Sequence, residues 1–184
     1  MQQPCSITDI TLKRWIAEAY GLTVNQVQYV PQGDSAYSYV ITDNGGTRYF
    51  FKIYDRNTRR GQDTAARAEF YLAITKALHD QGLFQQLSVP LWTQTGLLQV
   101  AVDNCIFALF TFVDGSSLAE AHPFPTTLNA KLGIQLGMLH GCSHQLRVDH
   151  RLEEAASIAF LDTLQRLPAE GRPSPGRSCQ HCVP

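Results

Sequence analysis

The sequence has no excess of charge of either sign and no long hydrophobic run. Its 184 residues carry 15 lysines and arginines against 16 aspartates and glutamates. This balance argues against a nucleic-acid-binding protein, in which a basic stripe is expected. The most apolar stretch, residues 106–113, is far shorter than the roughly 20 residues of a membrane-spanning helix. The first residues do not have the pattern of a secretory signal. We therefore expect a cytoplasmic protein that binds neither nucleic acid nor membrane.

Cysteine is scarce and irregularly placed. The five cysteines are odd in number and do not indicate a disulfide framework. A zinc site is an alternative, since His140 and His144 are four residues apart and Cys179 and Cys182 are close in sequence. A zinc knuckle usually needs two ligand pairs at defined spacings, and only the cysteine pair has such a spacing. The sequence therefore predicts no metal site.

The most informative residue that is present is Lys52. It lies in the apolar stretch 49–54, where a charged ammonium group without a partner would be costly to bury. Lys52 therefore needs an anion. Glu69 follows on a predicted helix and is the only carboxylate of that helix away from its ends, so we predict an ion pair between the two side chains. A glycine-containing loop at residues 32–36 and a hairpin precede Lys52, an order typical of kinase-type nucleotide sites.

The apolar pattern predicts an α+β fold with a five-stranded antiparallel sheet. The strands are expected at residues 27–30, 37–42, 47–54, 97–102 and 105–112, with a tight turn at Asn44-Gly45. A first helix is expected to start at Thr8 or Asp9 and to end at Gly21. A second, from Asp63 to about residue 81, is expected to pack on the sheet through Ala66, Phe70, Ile74 and Leu78.

After Gly115 the pattern becomes helical. A short turn is expected at residues 118–121, a helix capped by Thr127, and another helix at residues 151–167, with apolar surface left to be covered by a further chain segment or partner. The last 17 residues contain four prolines and few apolar groups, and we expect them to be a disordered tail. The predicted organisation is a sheet domain at 1–112, a partial helical lobe at 113–167 and a tail at 168–184.

These elements, in this order, resemble the amino-terminal half of the aminoglycoside phosphotransferase and choline kinase superfamily, from about residue 20 to residue 141. The resemblance is carried by the strand lysine Lys52, by the hairpin-like residues 89–100, by the strand and hinge 106–115, and by residues 132–140, which are similar to the family pattern LGxxLGxLH. The resemblance implies a protein-kinase-like amino-terminal lobe followed by a partial helical carboxy-terminal lobe.

The resemblance also implies roles for individual residues in binding ATP. Lys52 would hold the phosphates, Glu69 would orient Lys52, and the loop with Gly33 and Ser35 would cover the nucleotide. For this loop the plain alternative is a hairpin turn, since it contains one glycine rather than a full glycine-rich motif.

The hinge of the resemblance lies at Phe112 and Asp114. In a kinase-like fold its backbone would meet the adenine base. Asp114 followed by Gly115 is equally consistent with a turn and helix cap.

The catalytic loop of the family has no counterpart in these residues. In the family, the aspartate of His-Gly-Asp handles the substrate hydroxyl, and an asparagine five residues later helps to hold magnesium. The last asparagine here is Asn129, and no aspartate has an asparagine five positions on. His140-Gly141 is followed by Cys142 where the motif has aspartate. We therefore assign no catalytic residue. We expect a truncated family member, from early termination or a frameshift, that is inactive alone. The alternative is a non-catalytic scaffold that binds a nucleotide or a protein.

Overall fold

The structure is a computed structural model that describes residues 5–31, 36–115 and 125–147, all within the first of two units of the chain, Met1–Val148. Three helices and five strands make up its regular structure. In chain order they are α1 (Asp9–Tyr20), β1 (Val24–Val30), β2 (Tyr37–Asp43), β3 (Arg48–Asp55), α2 (Arg59–Asp80), β4 (Val100–Val102), β5 (Cys105–Thr111) and α3 (Thr126–Cys142). A short 3-10 helix, Ser143–Gln145, follows α3.

The five strands form one antiparallel sheet in the order β1-β2-β3-β5-β4. The predicted sheet is therefore confirmed. The tight turn after β2 is also present: the Gly46 amide donates to the Asp43 carbonyl at 3.1 Å, and Gly46 has a φ of 83°. This positive φ suits glycine, which has no Cβ to clash with the backbone.

β4 is shorter than the predicted strand at 97–102. Residues 97–99 cannot extend β4, because the β5 groups with which they would pair already bond to residues 89–91. The Leu91 amide donates to the Leu109 carbonyl at 2.8 Å, and the Thr111 amide donates to the Val89 carbonyl at 2.9 Å. Because each edge of a strand can bond one neighbour at a time, the segment around Pro90 limits β4 to three residues.

Helix α1 covers one face of the sheet. The hydroxyl of Thr8 accepts a hydrogen bond from the Thr11 amide, which caps the helix at its start, and Gly21 ends it in the left-handed conformation. Leu12, Trp15 and Ile16 are its buried residues. The Trp15 ring stacks on the Phe107 ring with the centroids 5.4 Å apart. The predicted helix is confirmed at both ends.

Helix α2 packs on the opposite face. It begins four residues before the predicted start, because the Thr58 hydroxyl accepts a hydrogen bond from the Gly61 amide and caps the helix there. The predicted apolar face was wrong in part: the residues buried against the sheet belong to the neighbouring stripe of Ala65, Ala68 and Leu72, whereas Ala66 is exposed. These small residues allow close contact with the sheet. Leu78 is buried as predicted, but in a cluster with Phe84 rather than against the sheet.

Helix α3 exposes most of its apolar residues. Leu132, Ile134, Leu136 and Met138 are between 39% and 62% exposed. Among the apolar residues of this helix, Leu139 and Cys142 join a small cluster with Leu78 and Phe84 near the end of α2. No helix in the described part of the chain is long and apolar enough to span a membrane. The predicted turn at 118–121, the helix at 151–167 and the tail at 168–184 lie outside the described residues.

Candidate functional site

The candidate site is built around Lys52 at the middle of β3. Successive side chains of a strand point to opposite faces of the sheet. Phe51 and Ile53 pack in the cluster that contains α1, whereas Phe50 and Tyr54 pack in the cluster that contains α2. Lys52 therefore lies on the α2 face. Its neighbours across the sheet are Ser38 on β2 and Ala108 on β5.

The ammonium group of Lys52 lies beside two aromatic rings. Its Nζ is 5.6 Å from the centroid of the Phe50 ring and 5.7 Å from the centroid of the Phe110 ring. Such contacts offer a cation only modest stabilisation. Burial lowers the pKa of Lys52 below its ordinary value, because partial removal of water disfavours the charged form.

The predicted ion pair between Lys52 and Glu69 was wrong for this structure. Over the described ranges, no carboxylate forms an ion pair with Lys52. The reason is the rotation of α2. Ala68 faces the sheet, and Glu69, one residue and about 100° further around the helix, is exposed at the edge of the buried stripe. Lys52 and Glu69 lie on the same side of the sheet, but their charged groups do not form an ion pair.

A pair of tyrosines joins α2 to β3 near this point. The hydroxyl groups of Tyr54 and Tyr71 share a hydrogen bond. Burial raises the pKa of both phenols, that of Tyr54 most strongly, so both remain neutral near pH 7. Tyr54 lies two residues after Lys52, and Tyr71 two residues after Glu69. The bond therefore anchors α2 to the strand that carries Lys52.

The predicted hinge residues lie just beyond the end of β5. The last residue pair between β3 and β5 is Tyr49 with Thr111. Phe112 and Asp114 follow and are both contacted by Arg48. The guanidinium carbon of Arg48 is 4.3 Å from the centroid of the Phe112 ring, and a guanidinium nitrogen forms a salt bridge with the Asp114 carboxylate.

The structure describes four of the predicted site residues, and Lys52 pairs with Ala108, four residues before Phe112. Lys52, Phe112 and Asp114 lie on β3 or at the neighbouring end of β5, and Glu69 lies on the helix above them. Gly33 and Ser35 lie outside the described residues. No group of three or more histidine, cysteine, aspartate or glutamate side chains that could hold a metal occurs in residues 5–31, 36–115 and 125–147.

Residues 26–178, more than half of the chain, match the sequence pattern of the phosphotransferase enzyme family. The chain belongs to this family. No curated protein sequence matches it. The family assignment agrees with the resemblance carried by the strand lysine and the following hinge.

Solved structures support the same fold for this phosphotransferase-family chain. A spectinomycin phosphotransferase in complex with ADP and spectinomycin superposes with a TM-score of 0.60 at 18% identity, over 82% of this chain and 41% of that one. An amicoumacin kinase in complex with AMP-PNP and Ca²⁺ superposes with a TM-score of 0.61 at 20% identity, over 79% of this chain and 43% of that one. The chain thus spans less than half the length of these structures, and the likeness shows the fold.

Sequence reasoning missed several residues of this candidate site. Phe50 and Phe110 form the apolar surface beside Lys52, and Arg48 holds the hinge. Strand alternation could have identified Phe50, because residues 48, 50 and 52 share one face. The same alternation places Arg48 on this face, but its contact with Asp114 has no local signal, since the two residues are 66 positions apart.

Proposed function

We propose that this chain is the nucleotide-binding half of an ATP-dependent phosphotransferase that, when complete, transfers phosphate to a hydroxyl of a small molecule. The observation that carries the proposal is the state of Lys52: a half-buried ammonium group beside two aromatic rings, without a carboxylate partner among the described residues. A cation in such surroundings is poorly stabilised and offers a site for an anion. A phosphate group would supply the missing partner.

The surroundings of Lys52 favour a nucleotide over a bare phosphate. Phe50 lies two residues before Lys52 on the same face, and Phe110 lies next to Phe50 on β5. Phe50 is only partly buried and offers an apolar ring to an aromatic base, whereas Phe110 is buried in the cluster under α2 and packs behind this site. Residues 113–115 lie beyond the last strand pair, so their backbone groups are outside the sheet ladder and suited to bind the edge of the base.

Glu69 has the role of orienting Lys52 in this proposal. In the structure Glu69 is exposed and lies one helix position from the buried stripe. Rotation of α2 about its axis would bring Glu69 towards the sheet face that carries Lys52. We therefore expect Glu69→Gln to change the stability of the ligand-free protein by less than about 0.5 kcal/mol, as for an exposed surface side chain.

The same substitution is expected to weaken ATP binding by about three- to tenfold, because an orienting ion pair made on binding is worth about 1 kcal/mol. Thermal unfolding and isothermal titration calorimetry on the same samples measure the two effects. Glu18→Gln on α1, on the other side of the sheet, is the control. Equal ATP affinity of Glu69→Gln and the unmodified protein would remove Glu69 from the site.

These 184 residues are not expected to transfer phosphate by themselves. They contain no aspartate followed five positions later by asparagine, so the family's base and its magnesium ligands have no counterpart. The described residues also provide no cluster that fits a metal. We therefore derive no catalytic step through magnesium here.

The experiment that tests the proposed function separates binding from transfer. The purified chain is titrated with ATP in a calorimeter and then incubated with ATP and a panel of aminoglycoside and amino-alcohol acceptors. We expect measurable ATP binding and no phosphorylated product above background, since loss of groups that act in the transition state costs several orders of magnitude in rate. Absence of ATP binding refutes the nucleotide site. Turnover near the ordinary enzyme rate of about 1 s⁻¹ refutes the assignment of inactivity.

The exposed helix α3 favours a second candidate function, that of a non-catalytic scaffold. Ile134 and Met138, one helical turn apart, are 62% and 53% exposed, and Leu132 and Leu136, also one turn apart, are 39% and 53% exposed. Exposed apolar side chains of this kind can mark protein contacts. The partner in this case is a helical half of a family member, supplied as a separate chain, or another protein that covers α3. Size-exclusion chromatography with and without such a half distinguishes a scaffold, which forms a complex and gains no transferase activity, from an enzyme half, which gains activity.

A further inference from the structure

Arg48 makes two contacts that the proposed function does not use. It is the first residue of β3 and shares its face with Phe50 and Lys52. Its guanidinium group lies over the Phe112 ring, 4.3 Å from the centroid, and forms a salt bridge with Asp114. One side chain therefore holds two alternate residues of the segment that leaves the sheet after β5.

The segment 112–115 depends on these side-chain contacts for its direction. The pairing of β3 with β5 ends at Thr111, so the antiparallel ladder does not hold the residues that follow. Val113 is 59% exposed, and Asp114 and Gly115 are also exposed. A guanidinium group is suited to hold such a segment, because its plane stacks on an aromatic ring while its fork of donors binds a carboxylate.

We propose that Arg48 is a positioning residue that sets how tightly the site binds the base of a nucleotide. This inference rests on the proposed function, in which the backbone of residues 113–115 meets the base. Arg48 holds this segment through the side chains of Phe112 and Asp114 and so leaves its backbone groups available. Lys52 acts on the phosphates from the middle of the same strand. The two residues therefore control different parts of the ligand.

The test compares two probes, ATP and inorganic tripolyphosphate, by calorimetric titration. Arg48→Met is expected to weaken ATP binding by about five- to tenfold, the combined value of an exposed cation–π contact and an exposed ion pair. It leaves tripolyphosphate binding unchanged, because this probe has no base. Arg48→Lys keeps the charge but loses the planar fork, so its ATP affinity is expected to lie between that of Arg48→Met and that of the unmodified protein. Arg14→Met, which removes a solvent-exposed partner of Glu18 on α1, is the control.

The outcomes separate this inference from the proposed function. If Arg48→Met weakens the binding of ATP and of tripolyphosphate equally, the site has lost its structure in general and the inference is overturned. An unchanged ATP affinity of Arg48→Met also overturns it. Failure of the unmodified protein to bind ATP overturns the proposed function and, with it, the inference. Asp114→Asn, which removes the partner charge at an exposed position, gives a second measurement should Arg48→Met fail to fold, and the same selective loss of ATP affinity is expected.

Discussion

Replacing Lys52 with methionine is expected to abolish most ATP binding and at the same time to stabilise the ligand-free protein at neutral pH. Hydrogen bonds to charged groups contribute about 1.5–3 kcal/mol each, so loss of the phosphate contact weakens ATP binding by about 10- to 100-fold. The ligand-free protein, in contrast, loses a half-buried charge that has no carboxylate partner in the described residues. Methionine retains the apolar stem beside Phe50 and Phe110.

The stabilising effect has a defined dependence on pH. Burial lowers the pKa of Lys52 in the folded protein, while the unfolded chain retains the ordinary value. Between the two pKa values the unfolded state binds more protons, so the stability of the unmodified protein rises with pH. The advantage of Lys52→Met, at most about 1 kcal/mol after solvent screening, is therefore largest below the lowered pKa and shrinks as the pH approaches 10.5.

Thermal unfolding from pH 6 to pH 10, with titration of ATP at pH 7, measures both effects. Lys131→Met is the control, because Lys131 is exposed on α3 and outside the site. A lower melting temperature for Lys52→Met at neutral pH would contradict the view that Lys52 is an unsatisfied cation. An unchanged ATP affinity would remove Lys52 from the site.

Gly61→Ala is expected to be among the most destabilising single substitutions in the described part of the chain. Gly61 is buried in the first turn of α2, and a Cβ at this position would overlap the carbonyl oxygen of Asp55 and lie 2.8 Å from the Thr58 hydroxyl. The Thr58 hydroxyl itself donates to the Asp55 carbonyl at 3.1 Å and accepts from the Gly61 amide at 3.0 Å. An added methyl group therefore disrupts both the cap of α2 and the end of β3.

The expected loss is about 3 kcal/mol, combining overpacking against backbone with loss of a helix cap. For a chain of this size it lowers the melting temperature by about 6–12 °C. Gly133→Ala in α3 is the matched control. A Cβ at Gly133 meets nothing within 4 Å, so this substitution is expected to stabilise the helix by about 0.5–1 kcal/mol. Differential scanning calorimetry measures the melting temperatures, which are expected to fall for Gly61→Ala and to rise for Gly133→Ala. A decrease of less than about 2 °C in the melting temperature of Gly61→Ala would contradict the prediction.

The elements that were predicted correctly are those with strong local signals. Alternating apolar residues and the turn at Asn44-Gly45 indicated β2 and β3, and Thr8 and Gly21 indicated the two ends of α1. The predicted β4 was too long because its limit is non-local: residues 89–91 bond to β5 where residues 97–99 would have paired. A hydrogen-bond competition between segments distant in sequence has no local signature.

The sequence by itself determined the strands and the position of Lys52 in one of them, since each strand follows from the residue pattern along a short segment. The family came from a resemblance that rests on the order of these elements from about residue 20 to residue 141. Only the tertiary structure decided which stripe of α2 is buried. Ala65 and Ala68 pack in the cluster against the sheet, whereas Ile74 and Leu78 of the predicted face pack with Phe84. The tertiary structure also decided that Lys52 and Glu69 do not pair and that Arg48 meets Asp114, because such contacts depend on how helix and strands are rotated and packed.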